Sequence, residues 1–121
     1  MSCEKIIEPD GIWCRYFGSV TNDEVDQIAE SIRVDANLSA MRYVISDFSA
    51  VTEWNVTAYD VLIIASHDHN AFHRNTTLKL ALISATDDIT STLNRYLNAP
   101  IMTFDAKLFS SLSDARDWLA A

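Results

Sequence analysis

Segments of two-residue apolar period alternate with segments of 3.6-residue period along this chain, and that alternation limits its fold more than any other feature. Cys3 to Ile7 and Ile12 to Phe17 read as strands on either side of Glu8-Pro9-Asp10-Gly11. Proline presets one backbone angle of such a turn and glycine tolerates the left-handed conformation, so the pair forms an antiparallel hairpin. Gly18 is expected to end the second strand. Thr21-Asn22-Asp23-Glu24 then opens a helix, with Thr21 as cap and Glu24 at the reciprocal capping-box position. Val25, Ile28, Ala29 and Ile32 make its apolar stripe, and Asp26, Glu30 and Arg33 take the other face.

After a loop from Asp35 to Ala40, Arg42 to Phe48 is rich in β-branched and aromatic residues and reads as a central strand. A polar connector, Ser49 to Asn55, leads to a long helix over Val56 to Arg74. On that helix Val61, Ala65, Asp68 and Phe72 lie near one line, with Ala58 and Leu62 beside it. Thr77 to Ser84 is apolar on both faces, as a buried strand is. Asp87 and Asp88 begin a helix carrying Ile89, Leu93, Tyr96 and Leu97, and Pro100 blocks its continuation. Ile101 to Phe104 reads as a short last strand. Ser111 caps a final helix with Leu112, Ala115 and Leu119 inward.

Strands separated by helices require crossovers, and right-handed crossovers cover a mostly parallel sheet. The expectation is an α/β domain: a mixed five-stranded sheet, with an N-terminal antiparallel hairpin and the rest mostly parallel, covered by four helices. At 121 residues, with no repeat, linker or low-complexity tract, residues 1–121 read as a single domain.

Composition removes several functions. Gly11 and Gly18 are the only glycines, so no dinucleotide fingerprint, P-loop or Gly-x-Ser-x-Gly elbow can be written. A net charge of −8 opposes nucleic-acid binding. The longest apolar run, Val61 to Ala65, is far short of the ~20 residues of a membrane span, and no secretory signal is visible. A cytoplasmic location is therefore expected. Cys3 and Cys14 lack metal or redox spacing and read as small apolar fillers of strands.

Four segments invite functional readings. Thr57 either caps the long helix or, if Asn55 caps it, turns its hydroxyl to solvent in the first turn, where a phosphate would meet the favourable end of the helix dipole and the repulsion of Glu53 and Asp60. His69 and His73 share a helix face as two metal ligands must, while His67 points about 160° away. No third ligand can be named, so no metal or other cofactor is expected and the histidine pair is only a weak alternative. Asp87-Asp88 complements a helix dipole rather than forming a catalytic pair. Trp54 stands in the polar connector, either as an interface anchor or folded back over the helix start.

Arg42-Tyr-Val-Ile-Ser-Asp-Phe-Ser-Ala-Val-Thr52 followed by a helix resembles the STAS domains, which include anti-sigma factor antagonists and the SpoIIAA-like (STAS/SEC14) proteins. Their pattern is an apolar strand ending in Asp-Leu-Ser-Gly-Val, then a helix whose start often carries Asp-Ser-Ser-Gly. The opening hairpin, the helix at Thr21 and Phe109-Ser-Ser-Leu-Ser-Asp-Ala-Arg-Asp-Trp-Leu119 also fit. In the sporulation-type antagonists the second serine of Asp-Ser-Ser-Gly is a phosphorylation switch. Here that motif aligns with Asn55-Val56-Thr57-Ala58, which keeps a hydroxyl at Thr57 but not the Asp, the first Ser or the Gly.

The resemblance implies a non-enzymatic regulatory or protein-interaction domain. Asp47, Ser49, Thr52, Trp54, Asn55 and Thr57 would supply its working surface, together with the first turns of the following helix. The acidic chain suits a protein partner with a basic surface. The alternative is a carrier or sensor of a small apolar or lipid-like ligand, suggested by the same resemblance and by Val61-Leu-Ile-Ile-Ala65, which is apolar on more than one helix face. An enzyme is disfavoured, because no nucleophile–base pair is visible. An exposed Trp54 or an unpaired sheet edge would also allow a homodimer.

Overall fold

The computed structural model describes residues 2–72, 75, 77–99 and 105–121. Strand β1 (Cys3–Glu8) turns through Pro9 and Asp10 into β2 (Gly11–Thr21), followed by α1 (Asn22–Arg33) and a 3-10 turn at Leu38–Ala40. Then come β3 (Tyr43–Asn55), α2 (Ala58–Phe72), β4 (Lys79–Ile83), α3 (Asp87–Leu97), β5 (Asp105–Phe109) and α4 (Leu112–Ala120). The sheet order is β1-β2-β3-β4-β5; β1 and β2 are antiparallel and every other pair is parallel. This is the mixed five-stranded α/β sheet with four helices that the patterning predicts.

Helices α1, α2 and α3 cover one face of the sheet. Ile28, Ile32, Val61, Ile64, Phe72, Ile89 and Leu93 meet Ile12, Cys14, Val44, Phe48, Leu80 and Leu82 there. On the other face, among the described residues, α4 sets Ala115 against Ile45, Ala81 and Ile83, with Trp13, Tyr43, Phe109 and Trp118 packed around them. Local chemistry sets the helix ends. Thr21 and Glu24 form the reciprocal box on α1, and Ser111 Oγ accepts from the Asp114 amide on α4.

Three local expectations need correction. Gly18 does not end β2: at φ +67° it lies between two register shifts whose extra residues are on β3, and pairing with β3 continues to Thr21–Asn55. Gly11 is not in the left-handed region, since among the described glycines only Gly18 has positive φ. Gly11 is needed for space, because a Cβ there would lie 2.3 Å from the Tyr43 carbonyl oxygen and 2.7 Å from its ring. Third, the polar segment Ser49 to Asn55 is no connector; it is the second half of β3. The expected strand Ile101 to Phe104 lies outside the described residues, and the described fifth strand is Asp105–Phe109.

Candidate functional site

β4 stops at Ile83, opposite Asp47, so β3 runs on from there paired with β2 alone, Phe17 against Ala50 through Thr21 against Asn55. This two-stranded ribbon carries most of the residues singled out above. Asp47 is buried, and its carboxylate accepts from Trp13 Nε1 (3.3 Å), the Ser49 amide (3.0 Å) and Ser49 Oγ (2.6 Å). Those bonds occupy Asp47 and Ser49 in fixing the strand where its β4 neighbour ends. Thr52 is exposed. Asn55 donates to Glu53 Oε1 (3.0 Å), as does Ser19 Oγ (3.1 Å), and these donors hold the Glu53 carboxyl below its ordinary value.

Trp54 packs inward from the ribbon rather than standing free in solvent. It is half-buried, edge-on to Phe48 at 5.2 Å between centroids, and its Nε1 donates to Thr92 Oγ1 of α3 at 3.2 Å. Thr57 is the cap of α2 rather than a first-turn residue: Oγ1 accepts from the Asp60 amide (3.1 Å) and donates to Asp60 Oδ2 (2.7 Å), which also accepts from the Thr57 amide (3.2 Å). Asn55 therefore leaves the cap to Thr57. A phosphate on Thr57 would have to displace the Asp60 carboxylate from that oxygen.

His67 is exposed and His69 half-buried on α2, and His73 lies outside the described residues. Among the described residues no group of three His, Cys, Asp or Glu side chains converges to hold a metal ion. Cys3 and Cys14 are both buried free thiols on neighbouring strands. Their mutual hydrogen bond and burial push the Cys14 thiol up, which keeps it protonated and inert.

The helix layer contains a polar cluster that the sequence reading does not assemble. Arg33, assigned there to the outer face of α1, turns under the helix. Its side chain is 6% exposed; Nε donates to Asp68 Oδ1 (3.0 Å), Nη2 to Asp26 Oδ1 (3.2 Å) and Nη1 to Glu30. Asp68 of α2 is 8% exposed and also accepts from Tyr96 Oη of α3 at 2.6 Å. Burial pushes the Asp68 carboxyl up, against the pull of Tyr96 and Arg33. The signal was present: a carboxylate on the inward line of α2 requires a buried donor.

Beside this cluster, a cavity of about 70 Å³ separates the sheet from α1–α3. Phe48, Trp54, Val61, Ile64 and Leu93 give it apolar walls, while Tyr16, Ser46, Asp68 and Tyr96 supply polar atoms. On the outer side of α2, Tyr59 is 72% exposed, Leu62 42% and Ile63 40%. At i, i+3 and i+4 these three form one apolar patch just after the Thr57 cap. No described helix is long and apolar enough to cross a membrane.

No family model matches the sequence, and no curated protein is significantly similar to it. Solved structures do match. The anti-sigma factor antagonist SpoIIAA, in its unphosphorylated form, aligns over 98% of each chain with 11% identity and a TM-score of 0.64. An uncharacterised DUF3478-family protein with a SpoIIAA-like fold from Shewanella loihica aligns over 97% of this chain and 91% of its own, with 17% identity and a TM-score of 0.57. With the likeness running over nearly the full length, the chain has the SpoIIAA-like α/β fold.

Proposed function

We propose that this chain is a non-enzymatic, cytoplasmic protein-interaction domain whose docking face is the first half of α2. The observation that carries the reading is the patch of Tyr59, Leu62 and Ile63. A helix that packs on a core by one face normally presents charge on the other, whereas α2 presents three large apolar side chains at helical spacing. The working surface thus moves from the ribbon onto the helix. Asp47 and Ser49 hold the strand, Trp54 faces inward, and Thr57 and Asp60 fix the start of the patch. The described polar clusters consist of ion pairs and caps rather than a nucleophile beside a base. The likeness to an anti-sigma factor antagonist supports the same class.

Asp60 within the same turns of α2, on a chain of net charge −8, fits a partner with an apolar pocket rimmed by Lys or Arg. Photo-crosslinking tests this. A benzophenone side chain at position 59 should give one discrete adduct with a different protein in the source cell, and Leu62→Glu should abolish it. A benzophenone at Arg15, exposed on β2, should give none. A position-59 adduct only with a second copy of the chain, or none, would overturn the proposal.

A further inference from the structure

We propose that Cys3 and Cys14 form a peroxide-responsive dithiol, which hydrogen peroxide converts into a disulfide between β1 and β2. Their spacing in the sequence has no redox meaning, but the hairpin closes it. Cys3 stands opposite Tyr16 and Cys14 opposite Lys5, so the cysteines are diagonal neighbours on one face of the antiparallel pair. Both belong to the core on the helix-covered side, Cys3 9% exposed and Cys14 0%. There the two thiols share a hydrogen bond. Bringing such sulfurs to the ~2.0 Å of an S–S bond takes a movement of roughly 1–2 Å. β1 can supply part of it, because it is an edge strand held in the sheet through β2.

The surroundings give the two thiols different tasks. The hydrogen bond from Cys14 holds the Cys3 thiol below its ordinary value, with help from the charge of Lys5 and against burial, Glu24 and Glu4. Cys3 is thus the nucleophile as well as the more accessible of the pair. Cys14, sealed from solvent, can react only with a sulfur beside it. Burial also selects the oxidant: a sulfur this enclosed admits a molecule of two oxygens, not the peptide arms of glutathione disulfide. The Cys3 thiolate attacks one peroxide oxygen, the O–O bond breaks, hydroxide leaves and Cys3 becomes a sulfenic acid. The Cys14 sulfur then attacks the Cys3 sulfur, the S–O bond breaks, and the departing hydroxide takes the Cys14 proton as water. The proton that Cys3 lost on ionising neutralises the first hydroxide. Two thiols and one peroxide give one disulfide and two waters, two electrons passing from sulfur to oxygen.

The test treats the folded protein with about 1 mM hydrogen peroxide, alkylates it in denaturant and digests it with trypsin without reduction. Cleavage after Lys5 and Arg15 places Cys3 in Met1–Lys5 and Cys14 in Ile6–Arg15. These peptides should appear joined, about 2 Da lighter than their sum, while the undigested protein keeps the mass of one chain. Dithiothreitol before alkylation should separate them, with one alkyl group on each. Glutathione disulfide at the same concentration should leave both thiols free. Cys14→Ala should hold on Cys3 a sulfenic acid that dimedone captures, and Cys3→Ala should leave Cys14 a free thiol. If either variant does not fold, the wild-type peptide map decides. Separately alkylated peptides after peroxide, sulfinic acid on Cys3 beside a free Cys14, a disulfide between two copies, or a mixed disulfide with glutathione would overturn the assignment.

Discussion

Replacing Arg33 by Met tests the buried cluster between α1, α2 and α3 most directly. The substitution keeps the aliphatic stem and removes the guanidinium. The Asp68 carboxylate, 8% exposed, is left with the Tyr96 hydroxyl at 2.6 Å as its remaining side-chain donor. Taking one partner from a buried ion pair costs about 3–5 kcal/mol, against a total of roughly 5–15 for a domain. The surface ends of the network, Asp26 and Glu30 at 48% and 58% exposure, return to water and add little. Urea unfolding at pH 7 should therefore show a large drop in midpoint with an unchanged slope.

The pH dependence gives the cause away. Burial already places the Asp68 carboxyl above its unfolded value, and loss of Arg33 raises it further. In the window between the unfolded value, about 3.9, and the folded one, the native state binds more protons than the unfolded state, so stability falls as pH rises through the folded value. The deficit of Arg33→Met should thus be larger at pH 7 than at pH 5. Asp68→Asn, which removes the charge but keeps an acceptor for Tyr96, should restore part of the loss when added to Arg33→Met. A deficit below about 1 kcal/mol, or one that does not change between pH 5 and pH 8, would refute a buried charge at this position.

Other perturbations separate local causes. Arg116 makes a two-pronged pair with Glu8 at 2.7 Å and 2.7 Å, and Tyr43 Oη donates to the same carboxylate at 2.5 Å, holding the Glu8 carboxyl below its ordinary value. Arg116→Met should cost about 1 kcal/mol at pH 7, discounted for the exposure of the arginine. A depressed carboxyl contributes above its unfolded value near 4.3 and loses that contribution as pH falls through the folded value, so the two proteins should converge in acid. Thermal melts should rank Gly11→Ala well below Gly18→Ala. The first drives a Cβ to 2.3 Å from the Tyr43 oxygen and should cost about 3 kcal/mol or more, while the second meets open space and carries only the left-handed penalty of about 1–2. Thr57→Ala should lose about 1 kcal/mol by urea unfolding, and Thr57→Ser should lose little, because the cap needs only the hydroxyl.

What the residues reveal in advance depends on how many neighbours an element has. The capping boxes at Thr21 and Thr57 are local, and Val25, Ile28 and Ile32 repeat with the helix, so α1 is legible from sequence. The far half of β3 is not. Among the described residues it pairs with β2, and β3 takes one extra residue at each of two register shifts, between Asp47 and Ala50 and between Val51 and Glu53; the alternation slips there, so Ser49 to Asn55 reads as polar chain. β5 is missed for another reason: Ala106 and Leu108 alternate with Asp105 and Lys107 as on an edge strand, but the stretch is only five residues long and the apolar run Ile101 to Phe104 before it draws the strand reading. Arg33 misleads because its spacing from Asp26 and Glu30 describes a solvated face, and the residue that draws it inward, Asp68, is on another helix.

Helix α2 shows why fold and function separate in this chain. Its inner line of Val61, Ile64, Ala65 and Phe72 belongs to the core, with Asp68 on the same face holding Arg33 and Tyr96, and that much follows from the requirement to bury a stripe. Tyr59, Leu62 and Ile63 on the outer face follow from no folding requirement, since polar residues there would keep the core intact. Val61 and Ile64 also wall the cavity. One helix thus separates an internal space from an external apolar patch. Leu62→Glu, which touches only the outer face, should leave urea stability within about 0.5 kcal/mol of wild type. A larger loss would show that the outer side chains serve the fold, and the patch would then have no need of a partner to explain it.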